Sequence, residues 1–405
     1  MPSFRLSLNR ILDFLPILFA LLLALLVASL LLLTLGASPA EAYAAMLEGA
    51  VGTENAFAET LVKAIPIMFV GIGICVAFRG GVVNIGGEGQ MIIGALSGTA
   101  FALQLDPSWG GFGILLTLLV GFMGGALYGG LAGVLKAFFG VNEILSTIML
   151  NQIAAQLMNY LLNGILLDPA SEGVNNIPKT ARIAAEFELP RLAFTVPGAI
   201  YSALEPLGFM QDPEIFARTR LHQGLILAIV VAIVTYLLLW RTSIGFRIRA
   251  VGQNERAARY AGISVKGHLV LSMLLAGGFA GLAGTVQVLG LQYRLQTDGS
   301  PAGFTASAGF NGIVAALFGG LNPLGVIPAS AFFGGLLVGA QKMQREIGVS
   351  ASLITAINGI IIIFVVSSQL FIRQRAKRRL DRQSPERTAP APVGEFSVPH
   401  MELPQ

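Results

Sequence analysis

Two charges and two amides sit where an apolar chain has least use for them. Between residues 78 and 98 the sequence FRGGVVNIGGEGQMIIGALSG places Arg79, Asn84, Glu88 and Gln90 between two strongly apolar segments. Amides donate and accept hydrogen bonds and a carboxylate accepts them, so this set suits the wall of a polar path through lipid. Gly80, Gly81, Gly86, Gly87, Gly89 and Gly94 interleave the polar groups, which weakens a regular helix and leaves backbone N–H and C=O groups open. In lipid such backbone survives only where protein buries it or water reaches it. The stretch therefore reads as a broken or re-entrant segment, with a tight cytoplasmic turn between two spans as the alternative. A second polar group lies at 141–162, where Asn142, Glu143, Asn151, Gln152, Gln156 and Asn159 punctuate an apolar run. Asn142, Glu143 and Asn151 are too polar to face lipid cheaply and are expected to face the bundle interior or a wet cavity.

Other chemistries are excluded or unsupported. No GxxxxGK[ST] supplies a phosphate cradle, and neither HExxH nor GxSxG is present. His222, His268 and His400 are far apart, and Cys75 is the single cysteine, so neither a metal site nor an intrachain disulfide is expected. The chain is not expected to be an enzyme. If it moves solute uphill, the energy comes from an ion gradient or from a separate subunit.

These residues need elements to hold them. The 405 residues are 54% hydrophobic and 12% charged, with a mean hydropathy of +0.73. Repeated apolar runs of about 18 residues or more, each long enough for a hydrocarbon core of about 30 Å, predict an all-α polytopic transmembrane bundle with glycine-broken helices. About ten spans are expected, near 14–35, 61–78, a third ending at 105, 112–139, 141–162, 223–240, 269–291, 305–321, 324–340 and 351–371. A cytoplasmic N-terminus (1–13) precedes the permeating domain (14–372), and a basic, proline-rich tail (373–405) is expected to be disordered and cytoplasmic. Residues 168–221 form a long polar outer segment, and residues 37–60 suit a short helix on the outer surface. The formal charge of +4 arises from Lys and Arg at span ends, as a membrane demands, and not from a nucleic-acid surface. Most of these cations fall on the proposed inner segments; Lys342 and Arg345 fall outside and fit least well.

Gly121, Gly125, Gly129 and Gly133 recur every fourth residue, and Gly277 and Gly281 repeat the pattern, so helix faces here can approach closely. Segments 61–105 and 269–340 each pair an apolar span with a glycine-broken one, the arrangement of an internal repeat around a binding site. The inner loop 241–268 holds Arg241, Arg247, Arg249, Arg256, Arg259 and Lys266 against a single Glu255. Asn254 is placed to cap a short helix running to Ala261, suited to docking in a partner's groove. A solvated loop that merely fixes orientation is the alternative.

The segments VVNIGGEGQMIIGA (82–95), VNEILSTIMLN (141–151), TSIGFRIRAVGQNERAARYAGI (242–263) and GFNGIVAALFGGLNPLGVIPA (309–329) resemble permease subunits of ABC importers of the branched-chain amino acid and simple-sugar superfamily. Within it they are most similar to nucleoside permeases. The resemblance covers roughly residues 60–370. It implies a plasma-membrane permease, in a pair of usually different permease subunits, on two cytoplasmic ATPase subunits that use ATP and Mg. An extracellular or periplasmic binding lipoprotein would deliver the solute. It further implies ATPase coupling by Arg249, Ala250, Gly252, Asn254, Ala257, Ala258, Tyr260 and Gly262. Asn84, Glu88, Gln90, Asn142, Glu143, Phe310 and Asn311 become pathway or gating residues. Simple sugars and branched-chain amino acids are the other cargo classes. An ion-driven secondary transporter using Glu88 or Glu143, and a scaffold without transport activity, are the competing readings from other classes.

Overall fold

The computed structural model describes residues 8–34, 36–171, 177–195, 214–297 and 300–348, with scattered positions between 353 and 367. Helices dominate: α1 (Leu8–Thr34), α2 (Pro39–Val51), α3 (Glu54–Arg79), α4 (Gly87–Ala102), α5 (Gly110–Phe139), α6 (Glu143–Leu162), α7 (Gly224–Arg241), α8 (Ser243–Gln253), α9 (Glu255–Tyr260), α10 (Val265–Gln287), α11 (Pro301–Thr305), α12 (Ala308–Phe318) and α13 (Pro323–Ile347). The described strands are a two-residue antiparallel pair, Phe194–Thr195 with Glu214–Ile215. The architecture is an all-α polytopic bundle.

Local chemistry sets the helix ends. Thr53 caps α3 by accepting from the Ala56 N–H at 3.1 Å, with Glu54 in the first turn and Arg79 in the last, each complementing the helix dipole. Asn322 caps α13 ahead of Pro323, and Gly140 and Gly348 end α5 and α13 in the left-handed conformation that glycine adopts freely. α3 and α10 run through the centre, whereas α5 and α7 form the outside. Of the apolar window of α3, 78% is buried, against 28% for α7.

The expected ten spans are not reached among the described residues. Five helices cross by length and composition: α3, α5 with its preceding turn, α7, α10 continued by a π turn to Gln292, and α13. A sixth exists if Leu22–Thr34 and Pro39–Val51, bent by 120°, count as one. α4 has 16 residues and α12 has 11, because both start inside the bundle. The tail and most of the tenth expected span lie outside the described residues, as do residues 1–7. Residues 37–60 do not simply lie on the surface. α2 packs along α13, with the Glu48 carboxylate 2.6 Å from the Lys342 ammonium, and α3 already begins at Glu54.

The most extensive helix pair is α5 with α10, and glycine makes it so. Gly125 faces Gly277 and Gly281, and a Cβ there would stand 2.6 Å from the Gly281 Cα. Gly129 faces Met273 and Gly277, Gly133 faces Val270 and Met273, and Gly121 faces Thr285. Bare backbones touch at Gly125 and Gly129, and side chains of Thr285 and Met273 close the two ends of the stripe, the packing that small residues permit in a membrane.

Candidate functional site

Two helix N-termini meet in the middle of the bundle. After α3 ends at Arg79, Gly80 and the left-handed Gly81 (φ +82°) turn the chain, and residues 82–86 run back inward without regular structure. α4 then starts at Gly87, packed against Val70 of α3. Val70 lies nine residues before Arg79, so the re-entry penetrates about 13 Å at 1.5 Å per residue. From the other direction α11 ends at Thr305, Ala306 and Ser307 take positive φ (49° and 60°), and α12 begins against Gly87 and Glu88. Two successive non-glycine residues in the left-handed region mark a sharp, constrained break.

Glu88 joins these two ends. It is 1% exposed, lies in the first turn of α4, and its Oε1 accepts from the Phe310 N–H of α12 at 3.2 Å. Ser307, the cap position of α12, makes no side-chain capping bond, so the carboxylate of Glu88 serves that helix in its place. Asn84 and Gln90 form a reciprocal amide pair, Nδ2 to Oε1 at 2.9 Å and Nε2 to Oδ1 at 3.0 Å. Asn84 Oδ1 also accepts from the Gly86 N–H. Asn151 of α6 clips the same loop, accepting from the Gly89 N–H at 2.8 Å and donating to the Ile85 carbonyl at 3.0 Å. The loop is therefore a hydrogen-bonded latch.

The remaining pathway candidates are placed differently. Asn142 is exposed, not turned to the bundle interior; its Oδ1 accepts from the Ile144 N–H at 2.9 Å and caps α6. Glu143 pairs with Lys136 at 2.8 Å and accepts from the Val83 N–H, tying α6 to the latch from below. Asn311 is half-buried, and the Phe310 ring is 48% exposed.

The basic segment forms a helical hairpin beneath the latch. Asn254 Oδ1 accepts from the Ala257 N–H at 3.0 Å and caps α9. Asn254, Ala257, Gly262 and Tyr260 face outward, Tyr260 at 94% exposure. Ala258 instead is buried with Ala77, Val82, Val265 and Leu269, while Arg249 and Ala250 are half-buried. Gly252 touches the latch itself: its Cα would meet a Cβ on Gly81 at 2.9 Å. Two guanidinium groups approach the Trp240 ring, Arg79 at 5.4 Å and Arg249 at 5.7 Å from its centroid. Arg79 in turn donates to the Leu321 carbonyl at 3.1 Å, at the end of α12. The basic segment thus contacts the first re-entrant element directly, and Arg79 links that turn to the end of the second.

Sequence reasoning missed a cavity of about 180 Å³ on the far side of the break. Lys63, His222, Gln287, Gln292 and Thr305 supply its polar lining. Gln287 donates to the Phe304 carbonyl at 2.6 Å, and Gln292 Oε1 is buried without a hydrogen-bond partner. Lys63 and Gln287 were detectable as polar residues inside apolar runs. His222, just ahead of α7, accepts from the Gly224 N–H at 3.2 Å; burial, with Arg191 nearby, pushes its imidazole down to about 4. Among the described residues no cluster of His, Cys, Asp and Glu is arranged to hold a metal ion.

Residues 56–366 match the family described as branched-chain amino acid transport system / permease component. The chain is 33% identical over 375 residues to the glucose ABC transporter permease protein TsgB13 of Haloferax volcanii, covering 92% of each. It is 33% identical over 365 residues to the guanosine ABC transporter permease protein NupP of Bacillus subtilis, covering 89% of this chain and 96% of that one. A second guanosine ABC transporter permease protein of that bacterium, NupQ, is 28% identical over 277 residues, 68% of this chain and 78% of its own. No solved structure matches the chain significantly. The family match takes in the latch, both re-entrant helices and the basic hairpin together, and the chain belongs to this family of multi-pass ABC permease components.

Proposed function

We propose that this chain is the permease subunit of an ATP-driven nucleoside importer, with its termini and the α8–α9 hairpin in the cytoplasm. The observation that carries the coupling is the contact of Gly252 with the Arg79–Gly81 turn. A partner ATPase, using ATP and Mg, grips Asn254, Ala257, Tyr260 and Gly262 from outside. Arg249, Ala250, Gly252 and Ala258 transmit its closure to the bundle. The Asn84–Gln90 pair and the Glu88 cap then open and reset as the gate, with Glu143 steadying the loop, Asn142 ordering the start of α6, and Phe310 and Asn311 at the head of the moving helix. Alternating access follows from a hydrogen-bonded latch that has two arrangements. The solute reading is supported by the guanosine permeases among the relatives, and two differently named permeases in one bacterium support a companion permease subunit. A binding lipoprotein on the opposite face completes the assembly.

The test is reconstitution of the whole complex in liposomes. ATP-dependent guanosine accumulation is expected, with Tyr260→Glu losing the ATPase on purification. Hexose accumulation without guanosine accumulation overturns the solute. Accumulation by this chain alone under an ion gradient, without ATP, overturns the motor.

A further inference from the structure

The latch has little hydrogen-bonding capacity left for a solute, since Asn84 and Gln90 are buried and spend their amides on each other. Less engaged amides occur elsewhere, although Asn163 Nδ2 donates to the Asn159 carbonyl at 2.8 Å. On α6, Asn151, Ala154, Ala155, Met158 and Leu162 are buried against the bundle, while Gln152, Gln156, Tyr160 and Asn163 are exposed on the opposite face at spacings of four, four and three, with Asn159 beside them. The outward faces of α5 and α7 differ: they show Leu119, Met123, Leu127, Val230, Ile233 and Leu237, as lipid requires. Gln152 and Gln156 make no hydrogen bond among the described residues, and a primary amide turned to hydrocarbon is costly. A groove of about 440 Å³ runs along Gln156, Asn159, Tyr160, Asn163, Gly164 and Ile165, at the end of α6 away from the basic hairpin.

We propose that this amide row, with Tyr160, is the solute-contacting wall of the path, closed on its open side by the second permease subunit. The proposal rests on the permease reading above and adds where specificity resides. Amides that can donate and accept suit ribose hydroxyls and the edge of a base, and the Tyr160 ring, 71% exposed, offers a flat face for the base. Exposed Leu145, Met149 and Ile153 along the same face supply the apolar contact for the neighbouring subunit. The inner face of the same helix carries Asn151, so solute on one side of α6 and the latch on the other share one rigid element.

Cys75 is buried, so this chain contributes a silent background for thiol chemistry, and labelling is read on this subunit alone. In the assembled transporter in nanodiscs, Gln156→Cys is expected to react with a charged methanethiosulfonate about tenfold faster than Leu127→Cys, which lies 65% exposed on the outer face of α5. Guanosine is expected to slow the Gln156→Cys reaction and glucose is not. Separately, Gln156→Leu is expected to raise the guanosine KM about tenfold, the loss of one good hydrogen bond, with the maximal rate kept. Equal slow labelling at both positions, or fast labelling that guanosine leaves unchanged, overturns the solute wall. Protection by glucose alone overturns the nucleoside class. The labelling comparison needs no ATP, so it stands or falls apart from the importer reading itself.

Discussion

At Glu88 a single carboxylate holds two helix starts together, and its replacement separates charge from hydrogen bonding. Glu88→Ala removes the acceptor facing the Phe310 N–H and is expected to cost about 1–3 kcal/mol, read as a lowered midpoint in thermal unfolding. Glu88→Gln keeps an acceptor oxygen and is expected to recover most of that loss. The amide pair behaves differently. Asn84→Leu and Gln90→Leu each strand a buried partner, so the double replacement should cost less than the sum of the two. That these residues are polar and buried was legible from their apolar flanks. That they bond to one another was not, because the pairing depends on the bend between them, and the five glycine-rich residues from Ile85 to Gly89 admit many bends. Asn142 shows the opposite error: an amide at the start of an apolar run suits a helix cap as well as an interior, and here it caps.

Helix length was the weak point among the elements. The apolar runs of α3, α5, α7, α10 and α13 declare their spans, since each is apolar over a length sufficient to cross the hydrocarbon core. α4 and α12 carry runs just as apolar, but each begins after chain that has already crossed part of the thickness, and hydropathy does not record where a helix enters. The glycine stripe was legible because spacing by four is itself geometry. Gly125→Ala puts a methyl 2.6 Å from the Gly281 Cα and is expected to weaken the α5–α10 pair by a few kcal/mol, with loss of monodisperse protein in detergent. The α8 contact makes a different demand. A Cβ on Gly252 would lie 2.7 Å from the Gly81 nitrogen, so Gly252→Ala is expected to preserve ATPase binding through exposed Tyr260 while reducing solute-stimulated hydrolysis several-fold. The short helix α9 is legible from Asn254, but α8 before it is not, nor which of the alanines turns inward. α9, with six residues, is under two turns long, too short for an apolar pattern to choose a face.

Across the whole molecule, one of the two cations that fit the charge asymmetry least well is accounted for locally. Lys342 pairs with Glu48 and with Glu346 at the end opposite the basic hairpin, so it need not follow the bias that orients the short loops. That same end carries the acid sensitivity. His222 is neutral in the fold and pushed down to about 4, against an ordinary value of 6.5, so the unfolded chain takes up the proton first. Stability from this residue is complete above pH 6.5 and is lost as pH falls toward 4, on the order of 3 kcal/mol in all. Thermal midpoints measured from pH 7 to pH 4.5 should fall, and His222→Gln should flatten that slope.

The long polar segment read as an outer loop is in part a strap over α10. Leu189 donates to the Leu289 carbonyl at 2.8 Å, Ile183 to the Tyr293 carbonyl at 3.0 Å, and Thr180 accepts from the Leu295 N–H across 115 residues of sequence. Its partners therefore leave the ribosome roughly 6–20 s after it does, at about 5–20 residues per second. Throughout that interval Ile183, covered in the finished bundle, lacks its partner at Tyr293, whereas Phe187 already has Leu105 and Gly113 of the earlier chain to pack against. A ribosome stalled before residue 289 would therefore present a strap whose backbone bonds to residues 289–295 are unmade, open to chaperones and proteases.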